Sequence, residues 1–263
     1  MRSNSFITGL APSLALLCHR ALAAKWGNCD TWAEKGECHL NPRYMLDKCA
    51  DACARQAEVE AVHAVEIETK IGHIETFFDL EAEDIENNVI TFDKFKGEVT
   101  VITNVASYCG GGGYLYDPNV SEGYTEDHYR GLVELNRRFR GSTVALNILT
   151  FPCDQFGNGH AKEKEAAELL GDSEYEMCPG IKKYATREGA EFTMMNKVDV
   201  NGLHAHHVYH FLKKAAGPPH IGWNFATYYI ISPEGTVQSL LNVNPMDLVD
   251  PILEAMGGGT SEL

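Results

Sequence analysis

The chain has 263 residues, which is long enough for one sizeable domain with additional segments. Its formal net charge of -15 at pH 7 argues against a nucleic-acid or anionic-membrane partner, because phosphate groups are bound by Lys and Arg. No run of 18 or more apolar residues occurs, so no transmembrane segment is predicted. The composition therefore favours a globular protein whose partners are small molecules or other proteins.

Residues 1–23 have the pattern of a secretory signal peptide. Arg2 supplies the positive start, a short apolar run follows over Phe6–Leu17, and Ala21–Ala23 gives an A-x-A cleavage site. Such a signal predicts entry into the secretory pathway, and therefore a secreted or lumenal protein in an oxidising compartment.

Four of the eight cysteines lie close together in residues 26–56, a segment too short to bury a hydrophobic core. Such a segment needs cross-links, and two disulfides would each contribute about 2–4 kcal/mol. Zinc is the competing explanation, but the C-x8-C-x10-C-x3-C spacing lacks the paired C-x2-C of a zinc ribbon. A small disulfide-rich module is therefore predicted.

The segment Cys29–Cys53 resembles the ShK toxin-like (ShKT) family, whose WA, GEC and NP-YM elements it contains. That family normally has six cysteines, and the two that are missing here pair with each other. The resemblance implies the disulfides Cys29–Cys49 and Cys38–Cys53, together with an extracellular binding or tethering role. A spacer would have the same sequence features. Residues 57–72, which are charged and lack a buried pattern, are predicted to form a linker.

The main domain is predicted to span residues 73–257 and to alternate strands with helices. Short strands are expected at Phe77–Leu80 and Val89–Phe92, and a strand buried on both faces then runs up to Cys109. The later elements are a helix at Glu126–Arg140, a strand at Thr143–Thr150, helices at Ala161–Leu170 and His204–Ala215, a hairpin of Phe225–Ser232 and Thr236–Leu241, and a helix near Asp247–Met256. This order predicts an α/β fold, a thioredoxin-like domain with a mixed central sheet flanked by helices.

Cys109 is the first candidate for chemistry, because it follows the buried strand at the end where open α/β sheets place their ligands. A lone cysteine after a strand is usually a small buried hydrophobe, so position alone assigns no role. The glycine-rich loop Gly110–Glu122 lacks the G-x-x-x-x-G-K-[ST] pattern, which argues against a phosphate-binding loop.

Three separated motifs resemble the signatures of glutathione peroxidases. They are Asn104–Gly110 (NVASYCG), Phe151–Gly157 (FPCDQFG) and Trp223–Phe225 (WNF), in that order along the chain. The resemblance covers about residues 73–257. It implies a thiol-dependent peroxidase that reduces hydrogen peroxide or organic hydroperoxides, with no bound cofactor and with glutathione or thioredoxin as the reducing co-substrate.

The same resemblance makes Cys109 the peroxidatic nucleophile and Trp223 and Asn224 its hydrogen-bond donors. Because a thiol is a poor nucleophile, the reaction needs a thiolate, which an indole N–H and a side-chain amide can stabilise. The same donors can stabilise the oxygen that leaves when the O–O bond breaks. The alternative for Trp223 is a core aromatic without a catalytic role.

The sequence departs from the family pattern where the pattern bears on catalysis. Gly159 occupies the position of a third polar partner, a glutamine in the family, and Asn158 or His160 could substitute for it. The Gly110–Glu122 insertion separates the nucleophile from the helix whose N-terminal dipole favours a thiolate. These departures keep a second function open: a catalytically weakened peroxidase domain whose ShKT-like module binds an extracellular partner. Thiol–disulfide exchange is a third possibility, but no C-x-x-C occurs near Cys109.

Two further cysteines follow the predicted strand Thr143–Thr150. Cys178 is the candidate resolving cysteine, since it lies in the region after FPC where cysteine-type members often carry one, and direct reduction by glutathione is the alternative. Cys153, within FPC, is interpreted as a structural thiol at a strand end.

Four histidines at the start of a predicted helix, His204, His206, His207 and His210, suggest a metal site. No nearby carboxylate or cysteine completes a ligand set. A solvated helix surface is therefore expected, and no metal site is predicted.

Overall fold

A computed structural model describes residues 28–106, 124–156, 182, 185–186 and 188–257. The chain divides into two compact units, Met1–Ala61 and Val62–Leu263. The predicted signal peptide and the predicted helix at Ala161–Leu170 lie outside the described residues. Within the described ranges, no helix is both long enough and apolar enough to cross a membrane.

The first unit is helical and is cross-linked by two disulfides. Its helices are α1 (Cys29–Glu34), α2 (Glu37–Leu40), α3 (Pro42–Lys48) and the N-terminal half of α4 (Ala50–Ile71). Cys29 pairs with Cys49 and Cys38 with Cys53, which is the pairing that the ShKT resemblance implies. Among residues 28–61, the buried apolar side chains other than cysteine are Ala33, Met45 and Ala52. So small a core explains why the unit depends on covalent cross-links.

The residues predicted as a linker are mostly helical. Helix α4 runs without interruption to Ile71, and its exposed face carries Val59, Val62 and Val65 among charged residues. The proposed boundaries at residues 56 and 72 stay predictions from the sequence.

The described residues of the second unit form seven strands and, beyond α4, three α-helices with defined bounds. The strands are β1 (Glu81–Glu83), β2 (Val89–Thr91), β3 (Val99–Val105), β4 (Leu146–Pro152), β5 (Thr193–Met194), β6 (Thr227–Ile231) and β7 (Val237–Leu241). The helices are α5 (Tyr124–Arg138), α6 (His207–Ala216) and α7 (Val249–Ala255).

The central sheet has the strand order β5-β4-β3-β6-β7 in the part of the chain that is described. Strands β3, β4 and β5 are parallel, whereas β6 runs antiparallel to β3 and β7 antiparallel to β6. A mixed sheet of this order, with helices packed against it, is a thioredoxin-like fold, so the predicted α/β class is confirmed.

Every residue of β3 is buried, as its β-branched sequence predicts. Because side chains alternate across a strand, Val101 enters a core with Leu132 of α5, whereas Ile102 enters a second core with Leu212 of α6. The sheet is therefore covered on both faces, and its middle strands are shielded from water.

Phe77–Leu80 does not form the predicted strand. Phe77–Asp79 is a 3-10 helix closed by a capping box, in which the Thr76 backbone N–H donates to Asp79 Oδ2 at 2.8 Å. The strand follows at Glu81–Glu83, because the cap fixes a turn where apolar composition alone suggested extension. The predicted strand Thr143–Thr150 is also shifted, and runs as β4 into the FPC motif.

His128 of α5 gives the fold an acid-sensitive point. Its ring stacks on Phe225, and its Nδ1 lies 2.6 Å from the Tyr228 hydroxyl. Burial lowers the pKa of His128 to about 4, against 6.5 for a free histidine. Between those values the unfolded chain binds more protons than the folded chain, so stability falls as the pH falls from about 6.5 towards 4.

We expect the free energy of unfolding of the wild type to drop by about 2 kcal/mol more between pH 7 and pH 5 than that of His128→Phe. Urea denaturation at the two pH values measures the difference. Identical pH dependence in the two proteins would show that His128 is not held neutral by the fold.

Candidate active site

The predicted site residues divide between described and undescribed parts of the chain. Cys109, Cys178 and Gly159 lie outside the described residues, as do Asn158 and His160. The structure does describe the first part of the NVASYCG motif, most of FPCDQFG, and all of the Trp223–Phe225 motif.

Strand topology brings these motifs to one edge of the sheet. Strands β3 and β4 are parallel and in register, with Asn104 opposite Phe151 and Val105 opposite Pro152, so their carboxyl ends coincide. Strand β6 is antiparallel to β3, so the segment that leads into β6 starts at the same edge. This is the edge at which α/β sheets bind ligands.

Direct hydrogen bonds join the three motifs. The Asn104 side chain donates from Nδ2 to Asn224 Oδ1 at 2.7 Å, and Asn224 Nδ2 donates to the Cys153 carbonyl at 3.0 Å. The Phe225 backbone N–H donates to the Asn104 carbonyl at 2.8 Å. The buried amide of Asn224 therefore links the ends of β3 and β4.

Trp223 and Asn224 are adjacent but differ in environment. Trp223 is 42% exposed, whereas Asn224 is 3% exposed. The exposure of the indole contradicts the alternative in which Trp223 is a core aromatic. Phe225 has a backbone φ of 62°, an unfavourable conformation for a residue other than glycine, so surrounding contacts must hold this turn.

Two further side-chain amides, those of Gln155 and Asn201, were not predicted as site residues. They bond the backbone of segments that precede the Trp223–Phe225 turn. Gln155 Oε1 accepts from the backbone N–H groups of Val200 and Asn201 at 2.7 and 2.8 Å. Asn201 Oδ1 in turn accepts from the Ile221 N–H at 2.9 Å, and its Nδ2 donates to the Ile221 carbonyl at 2.8 Å. Asn201 lies in the segment Lys197–Gly202 (KVDVNG), but a single sequence does not show which residue its amide reaches.

The comparisons with known proteins identify the family. The family model "Glutathione peroxidase" matches residues 77–213, which is more than half of the chain. The chain belongs to the glutathione peroxidase family. The matched range ends before Trp223, so it does not include the third motif.

The relatives of this chain include plant and animal proteins. "Phospholipid hydroperoxide glutathione peroxidase 1, chloroplastic" of Arabidopsis thaliana is 34% identical over 233 residues, which are 87% of this chain and 79% of that protein. "Glutathione peroxidase 7" of Bos taurus is 29% identical over 161 residues, 61% of this chain and 70% of that protein. The crystal structure of T. cruzi GPX1 has 24% identity and a TM-score of 0.49, and covers 70% of this chain and 98% of that one.

Cys153 has the environment of a structural thiol. It is 1% exposed, and burial raises its pKa to about 12, with a smaller contribution from the charge of Asp154. Since the thiolate is the reactive form of cysteine, Cys153 is unreactive at neutral pH. Among the described cysteines of this chain, it is the free one.

The histidines do not form the solvated surface that the sequence suggested. His204 is exposed, but His210 is only 5% exposed, and His207 Nε2 donates to the Glu81 carbonyl at 2.7 Å. Burial lowers the pKa of both His206 and His210 to about 4. Tertiary packing buries His210 together with Val208, Tyr209 and Leu212 of α6. In the described ranges, no group of three or more potential ligands could hold a metal ion.

Proposed function

We propose that this chain is a secreted thiol peroxidase whose nucleophile is Cys109 and whose substrates are hydrogen peroxide and organic hydroperoxides. The observation that carries the proposal is the meeting of the three family motifs at one edge of the sheet. The Trp223–Asn224 pair is hydrogen-bonded to the end of β3, and Cys109 follows the last residue of β3 by four positions in sequence. Family membership supports the reaction class. The roles of Cys109, Trp223 and Asn224 are part of the proposal.

The proposed reaction begins with the thiolate of Cys109. Its sulfur attacks the distal peroxide oxygen, the O–O bond breaks, and the leaving oxygen takes a proton and departs as water or an alcohol. The sulfur, oxidised by two electrons, becomes a sulfenic acid. One thiol condenses with the sulfenic acid and releases water, and a second thiol attacks the resulting disulfide and restores Cys109.

Trp223 and Asn224 are proposed to stabilise both the thiolate and the leaving oxygen. The indole N–H and the amide N–H are neutral donors, so they favour an anionic sulfur without forming a fixed ion pair. Asn224 has two amide N–H groups, and the Cys153 carbonyl accepts from Nδ2. The second N–H of the same amide is the donor proposed to face the reacting atoms.

The electron donor decides what kind of thiol peroxidase this is. Peroxide consumption by the purified protein is measured with glutathione and glutathione reductase, and separately with thioredoxin and thioredoxin reductase. We expect sustained turnover with one of the two systems. Failure of both systems, and of dithiothreitol, to support peroxide consumption would contradict the proposal.

Cys178 is proposed as the resolving cysteine. After one equivalent of hydrogen peroxide, mass spectrometry of the reduced wild type is expected to show a Cys109–Cys178 disulfide. In Cys178→Ser the sulfenic acid on Cys109 has no internal partner and is expected to be trapped by dimedone. A wild type that forms the dimedone adduct to the same extent, with no bridge, would assign resolution to an external thiol such as glutathione.

The location outside the cytosol is supported by the first unit. Its two disulfides are of the kind that persist in oxidising compartments, which agrees with the predicted signal peptide. A binding function for this ShKT-like unit is the second candidate, favoured by its exposed apolar side chains Leu40, Tyr44 and Leu46. If binding is the function, Cys109→Ser will still bind the partner. The wild type and Cys109→Ser will then consume peroxide at the same rate.

A further inference from the structure

Asn104 connects the carboxyl end of strand β3 to the Trp223–Asn224 pair. It is completely buried near the end of β3. Its Nδ2 donates to Asn224 Oδ1 at 2.7 Å and lies 3.4 Å from the Trp223 carbonyl, while its own carbonyl accepts from the Phe225 N–H. One residue thus contacts every member of the Trp223–Phe225 turn.

The direction of these bonds follows from chemistry. The Cys153 carbonyl can only accept, so Asn224 must turn its Nδ2 towards Cys153 and its Oδ1 towards Asn104. Asn104 must then present its Nδ2 to Asn224, and the same nitrogen faces the Trp223 carbonyl, which is also an acceptor. An acceptor or an apolar group at position 104 cannot replace this donor.

Packing alone does not explain an amide at this position. No described residue donates to Asn104 Oδ1, and a buried acceptor without a partner costs about 1–3 kcal/mol. A leucine of similar size would avoid that cost. The amide instead supplies the donor that holds a turn in which Phe225 has an unfavourable backbone conformation.

We propose that Asn104 is a positioning residue, which fixes where the Trp223 indole and the Asn224 amide stand at the edge of the sheet. The inference rests on the proposed function for the roles of Trp223 and Asn224. Whether Asn104 holds the Trp223–Phe225 turn in place can be measured without an assay of peroxidase activity.

The test uses the fluorescence of Trp223 in a background with Trp26→Phe and Trp32→Phe, which leaves one of the three tryptophans. Asn104→Leu is compared with Thr103→Val. The latter is a matched control, because buried Thr103 donates to the Thr227 carbonyl at 3.0 Å and, at 3.5 Å, to the Asn104 carbonyl, whereas its side chain makes no hydrogen bond to the described residues Trp223, Asn224 or Phe225. Asn104→Ser, whose hydroxyl is too short to reach Asn224, serves if the leucine variant does not fold.

We expect the Asn104 variant to move the emission maximum of Trp223 to longer wavelength and to raise its acrylamide quenching constant, while Thr103→Val leaves both unchanged. Unchanged fluorescence in the Asn104 variant, or equal changes in both proteins, would overturn the proposal.

The second readout is the rate of peroxide reduction, measured at a temperature at which all variants are folded. Misplaced donors should lower the rate of Cys109 oxidation by ~10–100-fold in the Asn104 variant, with the KM for the reducing thiol unchanged. A shifted Trp223 signal with an unchanged rate would show that the turn is held for reasons other than catalysis, and would also overturn the proposal. If the parent protein and Cys109→Ser consume peroxide equally, the proposed function fails, and the fluorescence comparison still decides whether Asn104 holds the turn.

Discussion

Replacing Cys109 by serine is expected to lower the rate of peroxide consumption by about 10³-fold or more, because removal of a covalent nucleophile removes the step on which all later steps depend. A serine hydroxyl has no accessible anionic form at neutral pH, and its oxygen cannot be oxidised in place of sulfur. The measurement is steady-state consumption of hydrogen peroxide with excess reducing thiol.

The matched control is Cys153→Ala. Cys153 is a cysteine at the same edge of the sheet, but its thiol is buried and its pKa is raised to about 12, so its sulfur should not take part. We expect this variant to continue to consume peroxide. An equal loss in the two variants, or a Cys109→Ser protein as fast as the wild type, would refute the assignment of the nucleophile.

The second large effect concerns the first unit. Removing the Cys38–Cys53 disulfide, by replacing both cysteines with serine, is expected to cost about 3 kcal/mol, since the bond closes a loop with a sequence separation of 15. The unit has few buried apolar side chains to offset that loss. We therefore expect residues 29–53 to unfold at ambient temperature.

Hydrogen exchange read by mass spectrometry measures this change, because amides in α1 to α3 lose protection when the unit opens. Arg55→Gln is the control, since it removes an exposed ion pair with Asp30 in the same unit and should alter protection little. Preserved protection in the protein without the disulfide would mean that packing alone maintains the unit.

Parts of the fold that depend on local patterns could be predicted from the sequence. The β-branched run of β3, the spacing of Leu132 and Leu135 on α5, and the β6–β7 hairpin are of this kind, and the structure confirms them. Element starts were less predictable, because a capping box at Thr76 or a register shift in β4 depends on hydrogen bonds that apolar periodicity does not show.

The supporting residues of the site could not be predicted in the same way. Gln155 and Asn201 are 46 positions apart, and Asn104 and Asn224 are 120 apart, so no local pattern shows that they bond. The burial of His210 has the same origin, because it depends on the packing of α6 against its neighbours, which the sequence of the first turn of α6 does not show. The motifs predict where the site lies, and long-range contacts determine the geometry of its described residues.

The most direct test of the account is the pH dependence of Cys109 alkylation. Iodoacetamide is added to the reduced protein over a range of pH, and the modified Cys109 peptide is quantified by mass spectrometry, in the wild type and in Trp223→Phe. The account predicts that alkylation of the wild type rises at a pH well below the value of about 8.5 for a free cysteine, and that loss of the indole N–H moves this rise to higher pH. The contradicting result is a wild type in which Cys109 alkylation rises only at pH 8.5 or above, with the same pH dependence in Trp223→Phe.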